Sequence, residues 1–104
     1  MNEVGRLTIH YTELSEAPPG EELSGEWNTH RREVGRLLAE GHAGKFVLIK
    51  ESQIIGLYDT WDAARKAGLR LYLMEPFMVH EVRAEEPLRR VRGYTIPWPI
   101  RLIR

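Results

Sequence analysis

The sequence has no cysteine and no long apolar run, and these two absences exclude several classes of protein. Without cysteine the chain cannot form disulfides, offer a thiol nucleophile or bind a metal through thiolates. No apolar run approaches the roughly 20 residues that a membrane-spanning helix needs. The N-terminus lacks the basic start and the apolar stretch of a secretory signal. We therefore expect a cytoplasmic protein with no membrane association.

The formal net charge is zero, but the charges are distributed unevenly along the 104 residues. Residues 1–26 contain six acidic side chains and one arginine, whereas residues 88–104 contain five arginines and no acid. Such asymmetry is typical of two segments that contact each other, within one chain or between two copies, or of a surface that binds nucleic acid. A chain of this length forms one domain, and we assign residues 1–104 to it.

The N-terminal part of the chain predicts a strand, a connector and a helix. Residues 6–12 alternate apolar and polar side chains, as a half-buried strand does. Two prolines then exclude further strand, so residues 1–20 are expected to form this strand and a proline-rich connector. Apolar residues next recur at helical spacing, which predicts a helix over about residues 22–40 with Gly41 just past its end.

Residues 44–83 predict a β-β-α-β unit. Two apolar runs, 45–50 and 53–58, predict a hairpin, and a helix over about 60–73 and a strand over 77–82 follow. The helical crossover makes the last two strands parallel, and the first strand, apolar on both faces, should lie between them. Its second face requires the N-terminal helix or a second subunit. We expect an α+β domain with a three- to five-stranded mixed sheet in the order 53–58, 45–50, 77–82.

The C-terminal residues are basic and rich in proline and aromatic side chains. The sequence Glu85-Glu86-Pro87 is expected to form a break in regular secondary structure after the last strand of the central unit. Residues 88–104 alternate weakly, but two prolines forbid a central strand, so we predict an edge strand or an extended arm. Aromatic side chains beside arginines are enriched at protein interfaces. The candidate interface residues are Tyr94, Trp98 and Ile100.

No arrangement of residues that performs chemistry is evident in the sequence. The four histidines, His10, His30, His42 and His80, share no short metal-ligand spacing and have no carboxylate cluster beside them. His30 and His80 fall among apolar residues, which predicts partly buried, hydrogen-bonded side chains. The chain also lacks a phosphate-binding loop before a helix and a serine in a nucleophile elbow. We therefore predict no catalytic residue, no cofactor-binding residue and no metal ligand.

Structural roles explain two further groups of residues. Asp59, Thr60 and Asp62 lie where the second helix begins, and their side-chain oxygens are predicted to cap it and to interact with the helix dipole. Trp27 and Trp61 occupy helical positions. They are predicted to lie in the core or at its edge.

The central unit also resembles a set of short bacterial proteins whose activity is unassigned. The resemblance lies in G-K-F-V-L-I-K-(x)₄-I-G-L-Y-D-T-W-D-A-A-(x)₃-G and the closing E-P-F-M-V-H-E-V, about two fifths of the chain. It implies a β-β-α-β unit and no catalytic residue or cofactor. The hairpin turn of that family usually contains glycine, whereas Glu51 and Ser52 stand here. The matching residues are Gly44, Lys45, Phe46, Val47, Gly56, Tyr58, Asp59, Thr60, Ala63, Gly68, Pro76, Phe77 and Val79.

Together these features favour a non-enzymatic module that binds protein. We expect a homodimer or a complex with another protein, formed through the sheet or the C-terminal residues. The alternative is a protein that associates with nucleic acid through arginines of the first helix and the C-terminal segment. A small hydrolase with a dispersed carboxylate site is a third possibility. The candidate anion or nucleic-acid contacts are Arg31, Arg32, Arg36, Arg89, Arg90 and Arg92.

Overall fold

The computed structural model describes residues 8–18, 20–87, 89–91 and 94–96, the last two ranges by their backbone alone. It confirms the α+β class. Two helices and one three-stranded sheet form the centre of the fold, and two short ribbons accompany them. The elements are β1 (Thr8–His10), a 3₁₀ turn (Tyr11–Glu13), α1 (Ser24–Ala39), β2 (Phe46–Lys50), β3 (Gln53–Tyr58), α2 (Trp61–Leu71), β4 (Met78–Glu81), β5 (Glu85–Pro87), β6 (Arg89–Val91) and β7 (Tyr94–Ile96).

The three-stranded sheet has the predicted order β3-β2-β4. The expectation of a mixed sheet is wrong, because β2 pairs antiparallel with both neighbours. The two outer strands run parallel to each other, as the helical crossover requires, but β2 separates them and they share no hydrogen-bonded ladder. Because the crossover skips the central strand, β3 and β4 run in the same direction but are not hydrogen-bonded to each other.

Both faces of β2 are covered, which explains why this strand is apolar on both sides. Val47 and Ile49 pack against residues of α1, whereas Leu48 packs against α2 on the opposite face. All three side chains are fully buried. The second cover of the sheet is thus α1 of the same chain.

The predicted capping of α2 is correct for one residue and wrong for another. The Thr60 side chain accepts a hydrogen bond from the Ala63 amide at 3.1 Å, as an N-cap does. Asp59 instead forms an ion pair with Lys45 at 2.8 Å, and this contact lowers the pKa of its carboxyl group. Asp62 lies in the first turn and pairs with Lys66 at 3.0 Å.

The β2–β3 turn places a residue other than glycine in the left-handed region. Glu51 has a φ of 54°. Its amide donates to the Glu26 carboxylate at 2.6 Å, and its carbonyl accepts from the Thr29 hydroxyl at 2.8 Å. Both partners lie on α1 and are buried. Two hydrogen bonds from the helix thus hold the turn in a backbone conformation that otherwise favours glycine.

The β1–β5 ribbon was not predicted. Residues 85–87, expected to interrupt the chain, form β5 and pair antiparallel with β1. Within the strand predicted over residues 6–12, a strand is observed at Thr8–His10, the chain turns into a 3₁₀ helix at Tyr11, and residues 6 and 7 lie outside the described ranges. Within β5 the central side chain, Glu86, is buried while its neighbours are exposed. The ribbon therefore directs one carboxylate into the protein.

The C-terminal prediction and one tryptophan prediction require correction. Of the two predicted alternatives, the strand is observed at residues 94–96, which pair with β6 in a hairpin, whereas the extended arm is wrong there; residues 97–104 lie outside the described ranges. Trp27 is fully buried as predicted, whereas Trp61 is 37% exposed and is not a core residue. Among the described residues, no helix combines the length and apolar character needed to cross a membrane.

Candidate metal centre

Three side chains from three elements meet beneath the β1–β5 ribbon. His30 lies on the face of α1 that carries Trp27 and Val34, three residues before it and four after it. His80 lies on β4 opposite Val47, on the side of the sheet that α1 covers. Glu86 is the inward-pointing residue of β5. Each side chain reaches the cluster because its own element directs that position toward the core.

The three side chains are close enough to share one ion. The His80 Nε2 atom lies 3.0 Å from each carboxylate oxygen of Glu86. The His30 Nε2 atom lies 3.6 Å from Glu86 Oε2. One ligand atom from each residue lies within 4.8 Å of the other two. The His30 and Glu86 side chains are completely buried and His80 is 8% exposed.

Aromatic packing encloses the two histidines. Their ring centroids are 4.5 Å apart with nearly perpendicular planes. The Trp27 ring lies 5.6 Å from His30 and 5.7 Å from His80, and its indole nitrogen donates to the Ser15 carbonyl at 3.0 Å. This apolar enclosure lowers the local dielectric constant, so charges in the cluster interact more strongly than they would in water.

Arg83 contacts the same carboxylate from the solvent side. Its Nε atom donates to Glu86 Oε1 at 3.2 Å, and a second nitrogen lies 3.5 Å from Glu81. The Arg83 side chain is 34% exposed. Oε1 of Glu86 thus has a cationic partner, while Oε2 faces the two imidazoles. Hydrogen bonds of this kind orient carboxylates that bind metals.

The environment fixes the charge of two members of the cluster at neutral pH. Burial lowers the pKa of His30 to about 4, with only partial compensation from Glu86, so the imidazole is neutral. Burial alone would raise the pKa of Glu86. The adjacent His30 and His80 rings and Arg83 outweigh that effect and lower its pKa to about 2. A neutral imidazole and an ionised carboxylate are the forms that bind metal ions.

His30 makes no hydrogen bond through either ring nitrogen to any residue in the described ranges. The 3.6 Å separation from Glu86 is too long for one. A buried polar group without a partner costs about 1–3 kcal/mol. The prediction of a hydrogen-bonded histidine is therefore wrong for His30 and correct for His80.

The donor set and its spacing fit a divalent transition metal. Zinc binds histidine nitrogen and carboxylate oxygen at about 2.0–2.2 Å, so neighbouring ligand atoms in a tetrahedron lie about 3.4 Å apart. The observed separations from Glu86, 3.0 and 3.6 Å, lie on either side of that value. The three residues would supply three ligands, and a water molecule or another group would be the fourth.

The predicted anion contacts do not converge on this cluster. The Arg31 Nε atom donates to the Leu14 carbonyl at 2.7 Å, and Arg36 pairs with Glu33 at 2.9 Å and with Glu40 at 3.1 Å. Arg32 is 56% exposed and lies 3.9 Å from Glu33. Two of the three helix arginines thus already bind within the chain. Arg89, Arg90 and Tyr94 lie in the β6–β7 hairpin, described by its backbone alone, and Arg92, Trp98 and Ile100 lie outside the described ranges.

Sequence reasoning missed the cluster because its ligands are 50 and six residues apart. One usable signal was present, since both histidines occupy positions on apolar faces of their elements. The prediction that no carboxylate lies beside these histidines is wrong, because Glu86 is next to both of them in the folded protein. Glu86 reaches them only because β5 pairs with β1, at the other end of the chain.

The chain matches no protein-family model, and neither a curated protein sequence nor a solved structure shows significant similarity to it. The resemblance of residues 44–82 to short bacterial proteins therefore stays a prediction. Any functional assignment has to rest on the geometry of the cluster and on the surface of the domain.

Proposed function

We propose that this protein is a small metal-binding domain in which His30, His80 and Glu86 hold one divalent transition-metal ion, with zinc as the best match. The observation that carries the proposal is the fully buried His30 side chain, which has no hydrogen-bond partner among the described residues and faces a carboxylate. Coordination would occupy its Nε2 atom and compensate for the loss of water.

A purely structural hydrogen-bond network accounts for only part of the cluster. Glu86 is already satisfied by His80 and Arg83, so the carboxylate does not require His30. A phenylalanine at position 30 would fill similar space without an unsatisfied nitrogen. A histidine at this position is therefore better explained by a ligand that binds it.

The burial of the cluster favours a structural or regulatory ion over a catalytic one. A catalytic zinc ion needs an open coordination position that substrate can reach. A cavity of about 480 Å³ lies between the start of α1 and the β2–β3 turn, and a second of about 230 Å³ lies beside the 3₁₀ turn. Neither is lined by a residue of the cluster.

Calorimetric titration of the metal-free protein with zinc tests this proposal. We expect one ion per chain, and cobalt in the same site should give the visible absorption of a tetrahedral complex. Glu86→Gln should weaken binding strongly because it removes the anionic ligand. His42→Gln is the matched control, since His42 follows the end of α1. If zinc does not bind, or if the His42 variant loses binding as completely as the Glu86 variant, the proposal is wrong.

A second candidate function is self-association, and exposed apolar side chains favour it. Leu71, the last residue of α2, and Leu73 and Met74, which come after Tyr72, are 57%, 75% and 91% exposed. We call these three residues the α2 patch. Contiguous exposed apolar side chains mark interaction sites.

The occupant we propose for the α2 patch is the C-terminal segment of a second copy. That segment carries Trp98, Ile100 and Leu102 at alternating positions, so one side of an extended chain would be apolar. We propose that the segment comes from a neighbouring molecule, so that each copy would cover the α2 patch of another.

Sedimentation measurements test this second function. Deletion of residues 97–104 and the substitution Leu73→Ser should each reduce self-association, whereas Lys66→Ser on the exposed side of α2 should not. The association should respond weakly to salt, unlike phosphate binding by a nucleic-acid protein, which weakens steeply with ionic strength. A full-length protein that stays monomeric at high concentration contradicts the proposal.

A further inference from the structure

The ligands of the cluster belong to two parts of the fold, the packed centre and the β1–β5 ribbon. His30 and His80 lie on α1 and β4, elements of the packed centre of the domain. Glu86 lies on the β1–β5 ribbon, defined here as residues 8–10 with 85–87. An ion bound by all three residues would therefore join the ribbon to the centre.

The β1–β5 ribbon itself makes few other contacts with the centre, although the segment after β1 is bound to α1 through the Leu14 and Ser15 carbonyls. Among the described strands, β1 and β5 form ladder hydrogen bonds only with each other. The Thr8 hydroxyl bonds to Glu85 within the ribbon, and the Tyr11 amide bonds to the Ala84 carbonyl at its end. Ile9 adds a partly buried apolar contact with the core. Two-stranded ribbons this short are marginally stable alone.

Without the ion, the ribbon depends on charge contacts of Glu86. His80 and Arg83 hold this carboxylate, and the partly exposed Arg83 also contacts Glu81. Arg83 therefore has an alternative acidic partner outside the ribbon. Its bond to Glu86 can be exchanged for water and Glu81 when the ribbon opens, which lowers the cost of opening.

We infer that the metal ion acts as a clasp, so that binding holds the β1–β5 ribbon on the core and loss of the ion allows the ribbon to open. This inference rests on the proposed metal site and adds a regulatory role to it. Opening would uncover the cluster side of Trp27. Metal availability would thus control which apolar surface the domain presents.

Hydrogen exchange with and without zinc tests the clasp. A ligand that binds only the closed form lowers the population of the open form by the factor 1 + [L]/Kd. Amides of the ribbon should therefore exchange about 100-fold more slowly when free zinc is about 100 times Kd. Amides at the edge of β3 serve as the internal control. Their local opening leaves all three ligands in place, so zinc should not change their exchange.

Calorimetry on the same sample separates the two proposals. If zinc does not bind, the proposed function is wrong. If one ion binds but the ribbon amides exchange unchanged, or if the β3 amides gain equal protection, the clasp is wrong and the metal site stands. Arg83→Gln gives a second test, because it retains every ligand. It should speed ribbon exchange in the metal-free protein, and zinc should restore protection; an unchanged rate without metal would contradict the clasp.

Discussion

The Nε2 atom of His30 lies 3.6 Å from Oε2 of Glu86, and both side chains are fully buried. This distance is too long for a hydrogen bond and suits two ligands of one small cation. The same oxygen accepts from His80 at 3.0 Å. The geometry of His30 and Glu86 therefore distinguishes the cluster from an ordinary buried ion pair.

Replacing His30 by phenylalanine should affect stability and metal binding in opposite directions. The metal-free variant should gain about 1–2 kcal/mol in free energy of unfolding, because an unsatisfied buried imidazole is replaced by an apolar ring. It should lose tight zinc binding. Chemical denaturation and calorimetry on the same preparation measure both effects. A large loss of stability without metal would show that His30 makes a favourable contact within the metal-free core.

The stability of the metal-free protein should decrease as the pH falls below neutrality. Burial lowers the pKa of His30 from 6.5 to about 4, so between these values the unfolded chain binds a proton that the folded protein does not. The contribution is present above about pH 6.5 and is lost toward pH 4, with an upper size of about 3 kcal/mol. Glu86, with a pKa lowered to about 2 from 4.5, extends the loss below pH 4.5.

Denaturant unfolding across this pH range checks the sign and the assignment. The His30→Phe variant should show a flatter profile between pH 6.5 and 4, while a smaller decrease below pH 4.5 should persist because Glu86 loses His30 but keeps His80 and Arg83 as partners. A wild-type protein that becomes more stable as the pH falls from 6.5 would contradict the burial of a neutral His30.

Gly68 on α2 should not tolerate a side chain. An added Cβ would collide with the ring of Phe77, a fully buried core residue, so Gly68→Ala should destabilise the protein by about 1–3 kcal/mol despite the better helix propensity of alanine. Gly25 in α1 is the matched control, since its added Cβ meets no atom within 4 Å. Gly25→Ala should be neutral or stabilising by up to about 1 kcal/mol. Equal effects in thermal melts would contradict the packing of α2 against Phe77.

A glycine at position 51 should stabilise the β2–β3 turn. Glu51 adopts a φ of 54°, and glycine removes the steric cost of that conformation. Glu51→Gly is expected to add about 0.5–1 kcal/mol, because the hydrogen bonds to Glu26 and Thr29 use the backbone of residue 51. Ser52→Gly is the control and should not stabilise. The prediction fails if the two variants change the midpoint of urea unfolding equally.

The sheet was predictable because local sequence determines it. The run of apolar residues from Phe46 to Ile49 is characteristic of a strand covered on both faces, and this sufficed to place β2 in the centre. The helix boundaries differ from the prediction by two residues or fewer at either end, where capping residues determine them. Thr60 was identifiable as a cap because N-capping involves neighbours in sequence.

The ribbon and the candidate site were not predictable, because long-range contacts create them. Thr8 pairs with Pro87, and no local pattern connects two segments so far apart. Glu86 follows another glutamate and precedes proline, a composition typical of a loop, yet pairing with β1 makes it the buried residue of a strand. The meeting of His30 with His80 depends in turn on the packing of α1 across the sheet.

X-ray absorption at the zinc edge of protein loaded with one equivalent of zinc tests the central claim most directly. We predict nitrogen and oxygen ligands at about 2.0–2.2 Å, with outer-shell scattering from two imidazole rings in the wild type and loss of that two-ring scattering in His30→Phe, which should no longer bind zinc tightly. A wild-type spectrum without imidazole scattering, or one unchanged by His30→Phe, would contradict the assignment of His30, His80 and Glu86 as a metal site.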